Sequence, residues 1–295
     1  MPTKVVKRLA HWQSAVRRRS NKTANRLRGH YQRLTAPIRL LPDFIIIGAQ
    51  KSGTSSLFAY LTQHPNLSPS LIKEVHYFDH NFYEGNDWYR THFPSSLYRS
   101  FARRVLRREI AIYEASPSYL AHPHVPQRVY DMIPNIKLIA LLRNPADRAY
   151  SHYHDRLRKN RETLSFEEAI RMDKRILSEY KGQENGDNYK LDEVHYSYLS
   201  RGIYVDQLKT WMKVFPQEQF LILKSEDFFA DPATTVNRVL KYLGLPSWEL
   251  RTRKKHNTGS YPKISAETRK DLAEYFAPHN ERLYEYLGMD LGWDT

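Results

Sequence analysis

The 295-residue chain contains no cysteine. Disulfides, thiolate zinc sites and a cysteine nucleophile are therefore excluded. Long apolar runs are also missing. The longest, near Phe44–Ala49 and Leu138–Leu142, fall far short of the roughly twenty residues a helix needs to span a bilayer. The first residues hold no continuous apolar core of the signal-peptide kind. The expectation is a cytoplasmic protein, attached at most to the inner membrane surface. Acidic side chains are absent from residues 1–42, which carry 11 Lys and Arg. That segment supplies most of the formal net charge of +14, so the remainder is close to neutral.

What is present is globular in character, with 41% hydrophobic and 13% aromatic residues. Residues 1–42 read as a basic arm and linker, and residues 43–295 as one domain. In the arm, Val5, Leu9, Trp12 and Val16 form one helical stripe among cations. Such a helix suits an anionic membrane surface, and a solvated basic tail is the plainer alternative. No groove-reading or stacking motif accompanies the charge, so no nucleic acid partner is expected.

From Asp43 onward, short apolar runs alternate with amphipathic segments. "DFIIIG", "IAIYEA" (110–115), "KLIALLR" (137–143) and "FLILKSED" (220–227) read as strands. Helices are expected from Thr54, from Pro145, after the capping box Ser165–Glu168, from Pro232 to Gly244, and from Ser265 toward Gly288. This alternation predicts a P-loop-like α/β fold, three layers deep around a central parallel sheet, with sites at the carboxyl ends of strands.

"GAQKSGTSSL" (48–57) lies between the first strand and the first helix. There, backbone amides and the helix dipole favour an anion. Its lysine precedes the glycine, unlike the Walker order G-x-x-x-x-G-K-[ST]. Further on, "LLRNPADRAYSHY" sets Arg143 at a strand end and Ser151 early in a helix, a second candidate anion cradle. Two cradles on strand ends suit a ligand with phosphates at two places. His122 and His124 lack convincing metal spacing, as does "HYHD" (152–155), and no Asp/Glu metal cluster is evident.

"FIIIGAQKSGTSSL" resembles the 5′-phosphosulfate loop of sulfotransferases that use 3′-phosphoadenosine 5′-phosphosulfate (PAPS). "LIALLRNPADRAYSHY" is similar to their 3′-phosphate segment. "KEVHYFD" (73–79), "NDWYRTHFP" and "EASPSYL" resemble the heparan-sulfate sulfotransferase branch, and the likeness runs through "YPKISAETRKDLAEYFAPHNERLYEYLG". The resemblance implies a saccharide-type acceptor and PAPS as co-substrate, with PAP as product and no metal required. It makes Glu74 the base, assisted by His76 and Lys51. It places the nucleotide on Lys51, Ser52, Gly53, Thr54, Ser55, Arg143 and Ser151, and on the loop Asn257, Thr258, Gly259, Ser260 and Tyr261. Two departures stand out. Ala115 replaces a lysine of many animal relatives, and "NTGSYP" (257–262) lacks the cations of their K-G-R loop, which Lys254 or Lys255 could replace. Without the resemblance, Glu74 reads as a salt-bridge partner of Lys73. A kinase with an irregular P-loop and a non-catalytic basic protein on an anionic polymer or membrane are the rival readings. Neither the acceptor nor the oligomeric state is specified by the sequence.

Overall fold

The structure is a computed structural model, described here for residues 31–180, 197–251 and 261–293. Five strands form one sheet in the order β2-β3-β1-β4-β5, with every pair parallel. They are β1 (Phe44–Gly48), β2 (Leu67–Pro69), β3 (Ala111–Ala115), β4 (Lys137–Leu142) and β5 (Phe220–Lys224). The four strands expected from apolar runs are β1, β3, β4 and β5. The sequence gives no sign of β2, because it has three residues and no apolar run. Its Pro69 is tolerated because β2 lies at the sheet edge, where one side needs no ladder donor.

Every residue of β1 is buried. Its side chains alternate between the two faces, as the pleat requires. Ile45 and Ile47 join Leu138, Ala140 and Leu142 in one core cluster. Phe44 and Ile46 join Ile139 and Leu141 in the other. Each fully buried isoleucine contributes about 1.5–3 kcal/mol of transfer free energy. Helices cover both faces: α1 (Thr54–Leu61) and α9 (Pro232–Leu243) pack on the second cluster, and α7 (Tyr204–Met212) on the first.

The other helices are α2 (Asn86–Arg90), α3 (Ser96–Arg104), α4 (Val125–Met132), α5 (Pro145–Arg158), α6 (Phe166–Tyr180), α8 (Ser225–Ala230) and α10 (Ala266–Leu287). The capping box forms before α6. The Ser165 amide donates to Glu168 Oε2 at 2.8 Å, and the Glu168 amide donates to Ser165 Oγ at 3.3 Å. Gly244 and Gly288 end α9 and α10 in the left-handed region. Because β1 is central, the loop leaving its carboxyl end sits between the ends of β3 and β4, where the topology brings side chains from several elements together.

Candidate active site

The loop from Gly48 to Thr54 is shaped by its backbone. Gly53 adopts φ 94° at the start of α1, and no side chain caps that helix. A Cβ on Gly53 would also stand 2.7 Å from the Phe229 ring, so a larger residue fails on both counts. The open first turn of α1 faces a cleft of about 470 Å³. Lys51, Gly53, Thr54, Ser55, Glu74, Arg143, Ser151 and Tyr261 all line it, so the structure brings two loops and a helix face from distant sequence into one place. Ser52 does not line it. Its side chain is completely buried, its amide donates to Ala49 O, and its carbonyl accepts from Ser225 Oγ at 2.8 Å. Ser52 therefore shapes the loop from beneath. Asn257, Thr258, Gly259 and Ser260 lie outside the described residues, as do Lys254, Lys255 and the stripe from Val5 to Val16.

The second cradle differs from its sequence reading in one respect. Asn144 Oδ1 already accepts from the amides of Ala146 and Asp147, so the start of α5 is capped. The cradle reduces to the Arg143 guanidinium and the Ser151 hydroxyl. Arg143 donates to the Lys51 carbonyl at 3.2 Å and lies 5.7 Å from the centre of the Phe229 ring. Tyr261 stacks on His154, with ring centres 4.3 Å apart and planes 4° from parallel.

Lys51 Nζ is 3.3 Å from Asp155 Oδ1, and Asp155 also binds Lys159 at 2.7 Å. Burial lowers the pKa of Lys51, an effect that Asp155 partly offsets. No sequence motif marks Asp155 as part of this cleft, although it lies one helical turn beyond Ser151 on α5 and so shares its face.

Glu74 is gripped from two sides. Lys73 Nζ lies 3.2 Å from its Oε1, and His76 Nε2 lies 3.0 Å from its Oε2. Lys73 also donates to Ser55 Oγ at 3.0 Å, tying this segment to the start of α1. Burial alone would raise the Glu74 pKa. The hydrogen bond from His76 and the charges of Lys73 and His76 outweigh it, so the pKa is lowered and the group is a carboxylate at neutral pH. Both ring nitrogens of His76 face carboxylates, because Nδ1 lies 3.0 Å from Asp79 Oδ2. Burial opposes charge on the imidazole, but hydrogen bonds to Asp79 and Glu74 push its pKa up to about 10. Asp79 also accepts from Ser118 Oγ at 2.5 Å. Burial raises its pKa, and the contacts with His76 and Ser118 overcome this and bring it to about 2.

Beneath this cluster lies the fully buried Glu114 of β3. It accepts from Tyr89 at 2.6 Å, from Tyr119 at 3.3 Å and from Ser116 at 2.8 Å. Burial pushes its pKa up to about 7. Tyr119 Oη in turn accepts from the Tyr77 amide, and Ser116 Oγ accepts from the His76 amide. The backbone carrying Glu74 and His76 is thus hung on a buried polar network that no local motif announces. His76, Asp79 and His80 also present ligand atoms within 4.8 Å of one another, a spacing that could hold a metal ion.

The sulfotransferase domain family matches residues 41–280. The chain is 30% identical over 278 residues to heparan sulfate glucosamine 3-O-sulfotransferase 3B1 of Mus musculus, across 86% of this chain and 65% of that protein. It is also 30% identical to the bifunctional heparan sulfate N-deacetylase/N-sulfotransferase 3 of Homo sapiens, across 84% of this chain and 30% of that one. The chain therefore spans under two thirds of the length of either relative. The solved sulfotransferase of Alicyclobacillus acidocaldarius shares 31% identity with a TM-score of 0.66, covering 87% of this chain and all of the other. The chain belongs to the sulfotransferase domain family.

Proposed function

We propose that this family member transfers a sulfuryl group from PAPS to a hydroxyl or amine of a saccharide-type acceptor, with Glu74 as the base. The observation that carries this reading is the meeting of Lys51, Arg143, Ser151 and Glu74 in one cleft, whose volume suits a nucleotide and part of an acceptor. The donor set fits a twice-charged ligand. The uncapped amides of α1 and Lys51 serve one anionic group, and Arg143 with Ser151 serves another. Tyr60, Phe228 and Phe229 supply an apolar wall for a nucleoside. Both acceptor atoms stay in the proposal, because one relative is named an O-sulfotransferase and the other an N-sulfotransferase.

The chemistry asked of the protein is positioning and charge neutralisation. Lys51 and the loop amides hold negative charge that builds on the leaving 5′-phosphate. Glu74 takes the acceptor proton as the new bond to sulfur forms. Its low pKa is compatible with that task, since a hydroxyl attacking sulfur becomes strongly acidic late in the step. His76 fixes the orientation of the carboxylate, and Asp79 fixes His76.

Calorimetric titration with PAP, ATP and ADP tests the site, followed by transfer of labelled sulfate from PAPS to a panel of saccharides. PAP should bind best, and Arg143→Ala should weaken it by about ten- to a hundredfold, the range for one charged contact. Binding of ATP with PAP excluded would overturn the reading in favour of a kinase.

A further inference from the structure

The amino-terminal edge of the sheet carries a surface that the cleft does not use. Along α3 and its C-cap, Leu97, Phe101 and Val105 recur every fourth residue in one stripe and are 69%, 52% and 62% exposed. Tyr98 and Leu106 are exposed beside them. Burying such side chains is favourable, so a helix that leaves a whole stripe in water is suited to a second surface. Around the stripe stand Arg103, Arg104, Arg107 and Arg108, all exposed, with Glu109 as the one acid between residues 96 and 110. Tyr31, Leu34 and Ile38 add a second exposed apolar stripe at the end of the arm, flanked by the exposed Arg33.

Backbone contacts bring the two stripes to the same region. Arg39 and Ser95 form an antiparallel bridge, the Leu40 amide donates to Pro94 O at 3.0 Å, and Arg39 Nη1 donates to Phe93 O at 2.6 Å. The location is fixed as well. Arg99 pairs with Asp43, immediately before β1, and Asn66, immediately before β2, donates to Glu109 O at 3.0 Å. The patch therefore lies at the start of the strands, and the cleft lies at their ends.

We propose that this patch docks the protein on an anionic lipid bilayer, with the cleft facing away from the lipid. Charge complementarity selects this partner. The residues leading into the patch add a run of cations without any acid, and each cation near such a surface adds attraction that salt weakens. The apolar stripe has no use on a nucleic acid backbone. Two copies of the patch placed face to face would oppose their arginines. Aliphatic and aromatic side chains ringed by arginine fit the headgroup boundary, where the apolar parts enter and the guanidinium groups stay at the phosphates. The acceptor reached from such an orientation is a chain extending from the surface or a soluble molecule, and not a lipid headgroup.

The test uses the full chain in co-sedimentation with phosphatidylcholine vesicles, with or without phosphatidylglycerol at about a third of the lipid. Binding should require the anionic lipid and weaken with salt. Phe101→Ser with Val105→Ser should lower the partition coefficient at least tenfold, with thermal melting unchanged. Single cysteines, introduced into a chain that has none and labelled with an environment-sensitive dye, report orientation: position 101 should be quenched by brominated lipid and position 159 should not. Unchanged vesicle binding by the double variant would overturn the proposal, as would quenching at 159 in place of 101. A preference for RNA over vesicles, or a dimer in sedimentation velocity that the double variant abolishes, would assign the patch to another partner. None of these readouts depends on catalysis, so failure of the sulfotransferase reading leaves this one standing or falling on its own.

Discussion

The two sides of the cleft are built by different means. The loop after β1 is made from contiguous residues, and its shape depends on one position, Gly53, which is left-handed and has no room for a side chain. The Glu74 side is made from side chains reaching across the fold. Glu74 and His76 lie on one segment, Ser116 and Ser118 follow β3, and Glu114 and Tyr89 lie beneath. A backbone-built site tolerates side-chain change except where its conformation demands one residue. A side-chain-built site is a chain of dependencies, and damage should spread along it with diminishing force.

Four substitutions test that contrast, in decreasing order of effect. Glu74→Gln should lower sulfate transfer by about 10²–10⁴-fold, the usual worth of a general base, while PAP affinity in calorimetry stays the same. If both fell together, the two sides would not be separable. Gly53→Ala should do the opposite. At φ 94° with the Phe229 ring 2.7 Å from the new methyl, it should cost about 1–3 kcal/mol, read as weaker PAP binding and a lower melting temperature. Asp79→Asn should leave the fold intact but release His76. By NMR, the wild-type imidazole should hold its proton to about pH 10, and the variant should lose it about 1–3 pH units earlier. Activity of that variant should fall off at correspondingly lower pH.

The smallest effect is expected from Glu114→Gln, about 1 kcal/mol at pH 5. Burial raises the Glu114 pKa to about 7, so between the ordinary carboxylate range and pH 7 the folded state binds more protons than the unfolded one. Its contribution therefore declines as pH rises through that window and levels off above it. Urea midpoints at pH 5 and pH 8 should differ more for the wild type than for the variant. An equal difference would show that Glu114 does not titrate there.

This contrast also explains what the sequence could reveal. Phe44–Gly48 reads as a strand because four adjacent apolar residues have no other stable place, and the loop after it follows from glycine, lysine and hydroxyls in a row. Those signals are local, and so was the pairing of Glu74 with His76 two residues on. Asp79 stood within the quoted "KEVHYFD", yet its partner Ser118 is 39 residues away. Glu114 reads as one more residue in "IAIYEA", and only the folded chain shows three hydroxyls aimed at it. The capping of α5 by Asn144 was legible in principle, since an asparagine before Pro145 is a common helix start.

The pairing of Lys51 with Asp155 has a consequence for timing. An anion arriving at Lys51 would meet a carboxylate already 3.3 Å from the ammonium and would have to share or displace it. The same carboxylate stands ready to reclaim the lysine when the anion loosens. Asp155 acts in this sense as a resident competitor. If Lys51 holds an anion as proposed, that competition would speed the anion's release.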